Sequence, residues 1–239
     1  MITDNIYIFG GHALSVNYHE LLTAAKASGE ITSREIFCID DNPTCVAAST
    51  IPQAHICLHP AEFIAKYINR HYEQHPLDAI VPDHTAQHVL LKVFLDKVAA
   101  QGTFKTQLIP LKEGPNTPFL HKAENQAIWA ISYATWICPP DCQEPAICPH
   151  TKAPRSWDCG DVLKPSQTNS NNKVVTHLFA CAPLYQHIVQ IPGAVICQEM
   201  MTFEKSLTEN PPERVIIGTH SHCHGIIGHF AIEPKTLTQ

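Results

Sequence analysis

Three cysteines in a proline-rich segment are the residues of this sequence best suited to chemistry. Cys138, Cys142 and Cys148 fall within eleven residues, and Cys159 follows eleven residues later. The prolines between them stiffen the segment and reduce the entropy that is lost when ligands converge. Zinc sites favour Cys-x-x-Cys pairs, which this spacing lacks, whereas iron–sulfur clusters accept more varied loops. The segment predicts an iron–sulfur cluster or a zinc ion, with buried or redox-active thiols and no metal as the alternative.

A run of alternating histidines is the second candidate for metal binding. In an extended chain His220, His222 and His224 would share one face, with Cys223 on the other. Three imidazoles at this spacing form a good partial metal site. In a tight turn the faces change, and Cys223 could then supply a fourth ligand to the cysteines of the proline-rich segment. The alternative is an exposed histidine cluster that binds no metal.

The segment that carries the cysteines needs a source of order. Residues 138–172 are rich in Cys, Pro, Asp and Asn and show no helical or strand periodicity. Structureless loops of that length are rare inside compact domains, and a bound metal supplies order that apolar residues cannot. Within it, Arg155 could neutralise a thiolate or a substrate charge. Trp157 is interpreted as a packing anchor.

A second possible site lies where the first strands end. Gly10, Gly11 and His12 follow the first apolar run, and Asp40 and Asp41 follow the second. In open α/β sheets ligands bind beyond the carboxyl ends of the strands, where glycines admit a phosphate and an acid can accept from ribose. The pattern predicts weak binding of an adenine nucleotide, with Asp40 on the ribose. A tight turn at the glycines and a helix cap at the acids are the structural alternatives.

A third polar group follows the fourth strand. Asp83 and His84 should reach the same sheet edge, and His88 shares a helix face with His84 if a helix starts near Thr85. Such a histidine pair can chelate a metal or do acid–base work. A helix-start Asp beside two partly exposed histidines is the alternative interpretation.

Alternating strands and helices position these residues. Strands are predicted at 6–9, 35–39, 54–58, 79–81 and 107–111, and helices at 18–28, 61–71, 86–100 and 122–136. This alternation predicts an α/β fold with a Rossmann-like parallel sheet and helices on both faces. Later runs at 174–180, 194–200, 214–218 and 226–232 predict a smaller, mostly antiparallel, Cys/His-rich lobe, the last two pairing. The predicted domains are 1–136, of nucleotide-binding type, and 137–239, a metal-binding lobe.

Two resemblances accompany these patterns. Ile6-Tyr7-Ile8-Phe9-Gly10-Gly11 and Ile39-Asp40-Asp41-Asn42-Pro43 resemble the start of a TrkA-N-type dinucleotide-binding domain. That likeness implies a Rossmann-like fold and NAD, although neither glycine register completes G-x-G-x-x-G. The Cys-Pro-Pro-x-Cys, Glu-Pro and Cys-Pro motifs of residues 138–149 resemble uncharacterised prokaryotic proteins of similar size, and this likeness implies no mechanism.

Composition limits the classes of protein to which this chain can belong. The formal charge is −6, without a run of Lys or Arg, which argues against nucleic acid as a main partner. The chain has no apolar run long enough for a membrane span and no secretory signal after Met1, so a cytoplasmic location is expected. Its ten cysteines are then not expected to form disulfides. Cys38 and Cys57 lie in apolar runs and are predicted to be core residues.

Two functions fit these observations. The first is a metal- or iron–sulfur-dependent protein, with redox activity as one option, that acts on or senses a small nucleotide-like or anionic ligand at the sheet edge. The second is a non-catalytic regulatory or sensor subunit in which a structural zinc ion only secures the long loop. An enzyme needs an open coordination position, whereas a structural site is closed. The sequence assigns no catalytic residue and leaves a homodimer open.

Overall fold

The protein is an α/β molecule with two mixed sheets. The computed structural model describes residues 2–70, 77–82, 88–110, 115–122, 127–139, 142, 144–163 and 174–235. The chain divides into two compact units. Unit 1 comprises Met1–Gln87 and Cys181–Gln198, and unit 2 comprises His88–Ala180 and Glu199–Gln239. None of the helices in the described ranges combines the length and the apolar character that crossing a membrane requires.

The helices are spread over both parts of the chain. Their bounds are α1 Ala13–Ser28, α2 Val46–Thr50, α3 Pro60–Arg70, α4 Val89–Ala100, α5 Cys159–Leu163 and α6 Gly193–Glu209. The strands are β1 Asn5–Phe9, β2 Glu35–Asp40, β3 His55–Cys57, β4 Ala79–Val81, β5 Phe104–Leu108, β6 Phe119–Lys122, β7 Ile128–Ser132, β8 Val174–Ala180, β9 Ala182–Tyr185, β10 Ile188–Pro192, β11 Arg214–His220 and β12 His224–Pro234.

The sheet of unit 1 has the strand order β3-β2-β1-β4-β10-β9. The first four of these strands are mutually parallel, and β10 runs antiparallel to β4 and to β9. Ile6 and Ile8 of β1 join the core cluster that contains residues of α1. The alternate residue Tyr7 contacts Phe63 of α3, with ring centroids 4.8 Å apart. Because successive strand residues point to opposite faces, helices cover both faces of β1.

The sheet of unit 2 has the order β6-β7-β12-β11-β8, and β5 also pairs with β12. Its neighbours are antiparallel except for β11 and β8, which are parallel. Helices α4 and α5 pack against this sheet. The long strand β12 forms the centre, and the turn between β11 and β12 lies at residues 221–223. That turn presents the histidine motif at one end of the sheet.

Three predicted elements are wrong. The helix predicted at 122–136 is replaced by β7, since Trp129 to Ser132 pair with both β6 and β12 and tertiary pairing overrides weak helix propensity. The strand predicted at 194–200 belongs to α6, whose buried residues Ile196, Met200, Phe203 and Leu207 recur at helical spacing. The fifth predicted strand is β5, which joins the sheet of unit 2 and not the parallel one.

The units also divide the chain differently from the boundary predicted at residue 136. Strands β9 and β10, which follow that boundary, pair with the sheet of unit 1. The predicted pairing of the last two strands is confirmed, since β11 and β12 are antiparallel neighbours. Cys38 is a core residue as predicted, whereas Cys57 is exposed because it ends the short β3, next to an edge of the sheet.

Candidate functional site

The turn between β11 and β12 is held by one carboxylate. Glu144 accepts hydrogen bonds from the Ser221 hydroxyl at 2.7 Å, from the His222 N–H at 2.9 Å and from the Cys223 N–H at 3.2 Å. Glu144 itself has a φ of 47°, in the left-handed region. A carboxylate with three donors is a strong, charge-assisted anchor. The histidine turn is therefore fixed to the cysteine segment by a residue that lies inside that segment.

The three histidines of this motif do not share one environment. His222 Nδ1 lies 2.5 Å from Asp158 Oδ2, and His220 Nδ1 lies 3.9 Å from Asp158 Oδ1. His224 lies in another contact, with Nδ1 3.0 Å from the Ser132 hydroxyl. The strand alternation of an extended chain does not apply across residues 221–223, because the chain turns there. The expectation of a common face for all three rings is not met, and the turn geometry considered as the alternative is present.

Cys138 is the centre of the cysteine group. Its Sγ lies 3.8 Å from His224 Nε2. Burial raises the pKa of the Cys138 thiol, and negative charge on Cys142 and Cys148 raises it further. Burial likewise raises the pKa of Cys223 to about 11, with a smaller contribution from charge on Cys138. The charges of Cys142, Cys148 and Cys223 thus all interact with Cys138, and the four thiols form one electrostatic neighbourhood.

Cys148 differs from the other thiols of this group. Its pKa is lowered, first by the Thr151 N–H, and also by the Thr151 hydroxyl, the His150 N–H and the positive charge of Arg155. The side chain is buried, at 6% exposure. Backbone N–H groups directed at a sulfur stabilise its thiolate, which is the form that binds metals. The Cys148 turn is therefore suited to hold an anionic sulfur.

Cys159 lies in an apolar setting. It is fully buried at the start of α5, in a cluster with Ile131, Leu163 and Ile227. Burial raises its pKa to about 12, and charge on Cys223 contributes further. Its N–H donates to the His222 carbonyl at 2.9 Å. The backbone of Cys159 thus supports the histidine turn, while its thiol packs as a small hydrophobic side chain.

The possible metal ligands among the described residues lie near one another but do not form a complete metal site. Among the residues that the structure describes, no three Cys, His, Asp or Glu side chains already surround a common point as a metal ion requires. Between the cysteine segment and the histidine turn, Cys138 and His224 form a contacting pair of donors. Two ligands of a tetrahedral zinc ion, with bonds of about 2.3 Å to sulfur and 2.05 Å to nitrogen, lie about 3.6 Å apart. Their measured separation of 3.8 Å suits such a pair.

A cleft of about 700 Å³ adjoins the histidine turn. The Tyr133 and Trp157 rings stack in it, with centroids 5.7 Å apart, and Trp157 Nε1 donates to Cys223 Sγ at 3.4 Å. Arg155 brings positive charge, and its buried Nε has no hydrogen-bond partner among the described residues. Nine of the described residues line the cleft: Tyr133, Glu144, Ala146, Arg155, Ser156, Trp157, Asp158, Asp161 and His222.

The predicted convergence at the edge of the first sheet is confirmed where the structure describes it. The Gly10 N–H donates to the Ile39 carbonyl at 2.9 Å, and the Gly11 N–H donates to Asp40 Oδ2 at 2.7 Å. The other oxygen of Asp40 accepts from the Asn42 N–H at 2.8 Å. Asp40 thus shapes two turns and does not cap a helix, since the N-cap residue of the following helix α2 is Cys45. A role of Asp40 on a ribose stays a prediction.

The remaining residues of this edge have simpler settings. His12 is the N-cap residue of α1 without a side-chain capping bond, and Asp41 is exposed. Asp83 and His84 lie outside the described residues. His88 is buried and structural: its Nε2 contacts the Ile217 carbonyl at 2.8 Å and its Nδ1 accepts the Leu91 N–H at 3.3 Å. Both nitrogens of His88 are therefore occupied within the fold.

Sequence reasoning missed Glu144 and Asp158, which organise the candidate site. Their partners lie 77 and 64 residues away along the chain, so no local spacing indicated them. Tyr133 was also missed, because a helix was expected at its position. The sequence predicts a packing role for Trp157, and its stacking on Tyr133 agrees with that role.

Comparison with known proteins identifies a family for most of this region. No curated protein and no solved structure matches the chain. Residues 86–233, more than half of the chain, match the family AF_1314_C, described as "Uncharacterized protein, C-terminal domain". The match includes the cysteine segment, the cleft and the histidine turn, in keeping with the resemblance of residues 138–149 to uncharacterised proteins. The chain therefore belongs to the AF_1314_C family of uncharacterised proteins.

Proposed function

We propose that this protein is metal-dependent and that its metal is held in unit 2. For a zinc ion, Cys138 and His224 supply one sulfur and one nitrogen ligand, and two of the thiols of Cys142, Cys148 and Cys223 complete the set of four. For an iron–sulfur cluster, the four thiols are the ligands. The observation that carries the proposal is the position of Cys138, which is 3.8 Å from His224 Nε2 and feels the charge of the other three thiols. Clustered thiolates repel one another, and a cation removes that cost.

The ligand set decides between a zinc ion and an iron–sulfur cluster. A mixed set of sulfur and imidazole nitrogen is typical of zinc, whereas four thiolates from an irregular loop also suit a cluster. The contact between Cys138 and His224 favours zinc. Metal binding would draw the neighbouring thiols together, since such loops commonly gain their final order when the ion binds.

The metal centre adjoins a cleft suited to a small nucleotide-like or anionic molecule. The stacked rings of Tyr133 and Trp157 offer a planar wall, and Arg155 offers a positive charge. Asp158 is engaged by His222, and Glu144 by the histidine turn, so these acids are already partnered. An imidazole beside a carboxylate is a common arrangement for proton transfer. This pair supports an enzymatic role for the same site.

The edge of the unit 1 sheet is the other place for such a ligand. The parallel run β3-β2-β1-β4 supports a Rossmann-like assignment of this unit, with the glycines and Asp40 beyond the strand ends. On this proposal the ligand is NAD or another adenine nucleotide. A non-catalytic sensor with a structural zinc is the second candidate function, and the thiols around Cys138 favour it because three of them together with His224 would close the coordination sphere.

Calorimetry with single variants separates the two ligand positions. Titrations with NAD, NADP, ATP and AMP at millimolar concentration are expected to show weak binding of at least one nucleotide. Loss of binding in Arg155→Ala would place the ligand in the cleft, and loss in Asp40→Asn would place it at the sheet edge. No binding of any nucleotide by the unmodified protein would remove the nucleotide proposal.

Metal analysis of variants tests the metal proposal independently. Cys138→Ser and His224→Ala are each expected to weaken metal affinity by at least about tenfold and so to lower the metal content of the purified protein, because loss of even an outer-shell partner of a metal site costs about that much affinity. Cys57→Ser, at an exposed thiol in unit 1, is the matched control and should retain the metal. Equal metal content in all three variants would contradict the proposed ligand set.

A further inference from the structure

A second cysteine–histidine pair lies in unit 1, beside the glycine turn and Asp40. Cys45 Sγ is 3.5 Å from His55 Nε2, and the Ala48 N–H donates to the same sulfur at 3.4 Å. Cys45 is the N-cap residue of α2 and is partly exposed. None of the metal ligands proposed above belongs to this pair.

The surroundings of His55 determine which atom carries the proton. His55 Nε2 also lies 3.1 Å from the Asp40 carbonyl oxygen. A carbonyl can only accept, so this hydrogen bond requires a proton on Nε2. The same N–H then points toward Cys45, and the sulfur is an acceptor from both of its neighbours, His55 and Ala48. Two N–H donors are thus directed at one sulfur, and they hold it in a fixed position with its lone pairs as acceptors.

Cys57 offers a contrast at the same sheet edge. It is more exposed than Cys45, but its sulfur faces the Asp41 carbonyl oxygen at 3.6 Å. Opposite that acceptor, the sulfur has to keep its proton to make a hydrogen bond. Cys38 lies beneath them, and burial raises its pKa to about 12. Hydrogen bonding and exposure therefore make opposite predictions about which thiol reacts first.

We propose that Cys45 is a nucleophilic thiol that hydroperoxides oxidise selectively, with His55 as its positioning residue. The sulfur lone pair attacks one peroxide oxygen, a sulfur–oxygen bond forms and the oxygen–oxygen bond breaks. The leaving oxygen takes up the thiol proton, so that Cys–SH and ROOH give Cys–SOH and ROH. The peroxide is reduced and the sulfur is oxidised to a sulfenic acid.

The position of Cys45 gives the modification a local consequence. A side-chain carbon at Gly11 would clash with Cys45 Sγ and Cβ, so the sulfur packs directly on the glycine turn. The Gly11 N–H is bonded to Asp40, whose carbonyl holds His55. An oxygen added to this sulfur has to displace part of that turn.

Trapping of sulfenic acid with dimedone tests the proposal on the full chain. The native protein is treated with limiting hydrogen peroxide, and the adducts are mapped on the tryptic peptide 35–66, which contains Cys38, Cys45 and Cys57. Cys45 is expected to carry at least about fivefold more adduct than Cys57, in line with the effect of donors on thiolate reactivity. An equal or larger adduct on the more exposed Cys57 would overturn the proposal.

Variants of His55 give the second readout. His55→Ala is expected to reduce the Cys45 adduct at least about fivefold and to leave the Cys57 adduct unchanged. His55→Gln keeps a side-chain N–H donor and is expected to recover part of the difference. Unchanged Cys45 labelling in both variants, each with a melting temperature close to that of the unmodified protein, would show that His55 does not position the thiol.

Discussion

At the residue scale, Glu144 has the most specific role in the candidate site. Replacement by Gln turns one acceptor oxygen into a donor and removes the charge that the Ser221, His222 and Cys223 donors share. Hydrogen bonds to charged groups contribute about 1.5–3 kcal/mol each, so Glu144→Gln is expected to lower the free energy of unfolding by about 2 kcal/mol. Urea denaturation measures this change.

A surface glutamate provides the control for that variant. Glu209 lies 3.9 Å from Lys205 in an exposed pair one helical turn apart. Because exposed pairs of this kind contribute little, Glu209→Gln is expected to change the free energy of unfolding by less than about 0.5 kcal/mol. Equal effects of the two substitutions would mean that the three hydrogen bonds of Glu144 do not stabilise the turn.

Residue types indicated part of this site in advance. Cysteine and histidine are rare enough, and chemically specific enough, that Cys138, Cys142, Cys148 and Cys223 could be grouped before their positions were known. Glu144 could not be found in this way, because glutamate is common and its partners are distant in sequence. The split of the histidines between Asp158 and Cys138 also depends on a turn that residue spacing does not determine.

At the element scale, His88 connects the start of α4 to β11 and makes stability depend on pH. Burial lowers the pKa of His88 to about 4 in the folded protein, against about 6.5 when unfolded. The unfolded chain therefore binds more protons between these values, and stability falls as the pH drops from 6.5 toward 4. For one such group the loss between pH 7 and pH 5 is about 2 kcal/mol.

Substitution of His88 tests this element directly. His88→Gln is expected to be less stable at pH 7, because the contacts with Ile217 and Leu91 are weakened. Its stability should also fall less between pH 7 and pH 5, by about 2 kcal/mol. His121→Gln, at an exposed position, should keep the full pH dependence. A pH dependence identical in all three proteins would contradict the assignment.

Elements with a complete amphipathic or apolar pattern were predictable, and elements created by long-range pairing were not. The strands β1, β2 and β4 and the helices α1, α3 and α4 agree with the predicted positions to within a few residues, because local periodicity specifies them. The strand β7 was missed because its pairing with β12 is remote in sequence. Likewise, residues 194–200, for which a strand was predicted, are too short a stretch to reveal the helical periodicity of α6.

At the scale of the whole molecule, the proposed metal makes the two units unequal in stability. Loss of one ligand should weaken the cysteine segment and the sheet of unit 2, since metal binding is coupled to folding. Cys142→Ser is therefore expected to exchange amide hydrogens faster at β7 and β12, with little change at β1 and β2. Hydrogen exchange followed by mass spectrometry resolves these segments. Equal acceleration in both units would contradict the assignment of the metal to unit 2.

The division of the chain into two units also could not be predicted from the order of its residues. Residues 181–198 follow the cysteine segment in the chain but belong to unit 1. Their strands β9 and β10 extend the sheet beside β4, an insertion that no boundary drawn at a single position could express. The alternation of predicted strands and helices correctly suggested an α/β chain, since that inference does not depend on which strands pair.

The most direct test of the metal proposal is elemental analysis combined with a UV–visible spectrum of the anaerobically purified full chain. The predicted result is bound metal at about one site per chain, either zinc in a colourless protein or iron with sulfide in a brown one. The contact between Cys138 and His224 favours the zinc outcome. A protein that contains neither zinc nor iron, and that takes up neither when they are supplied under reducing conditions, would contradict the proposal.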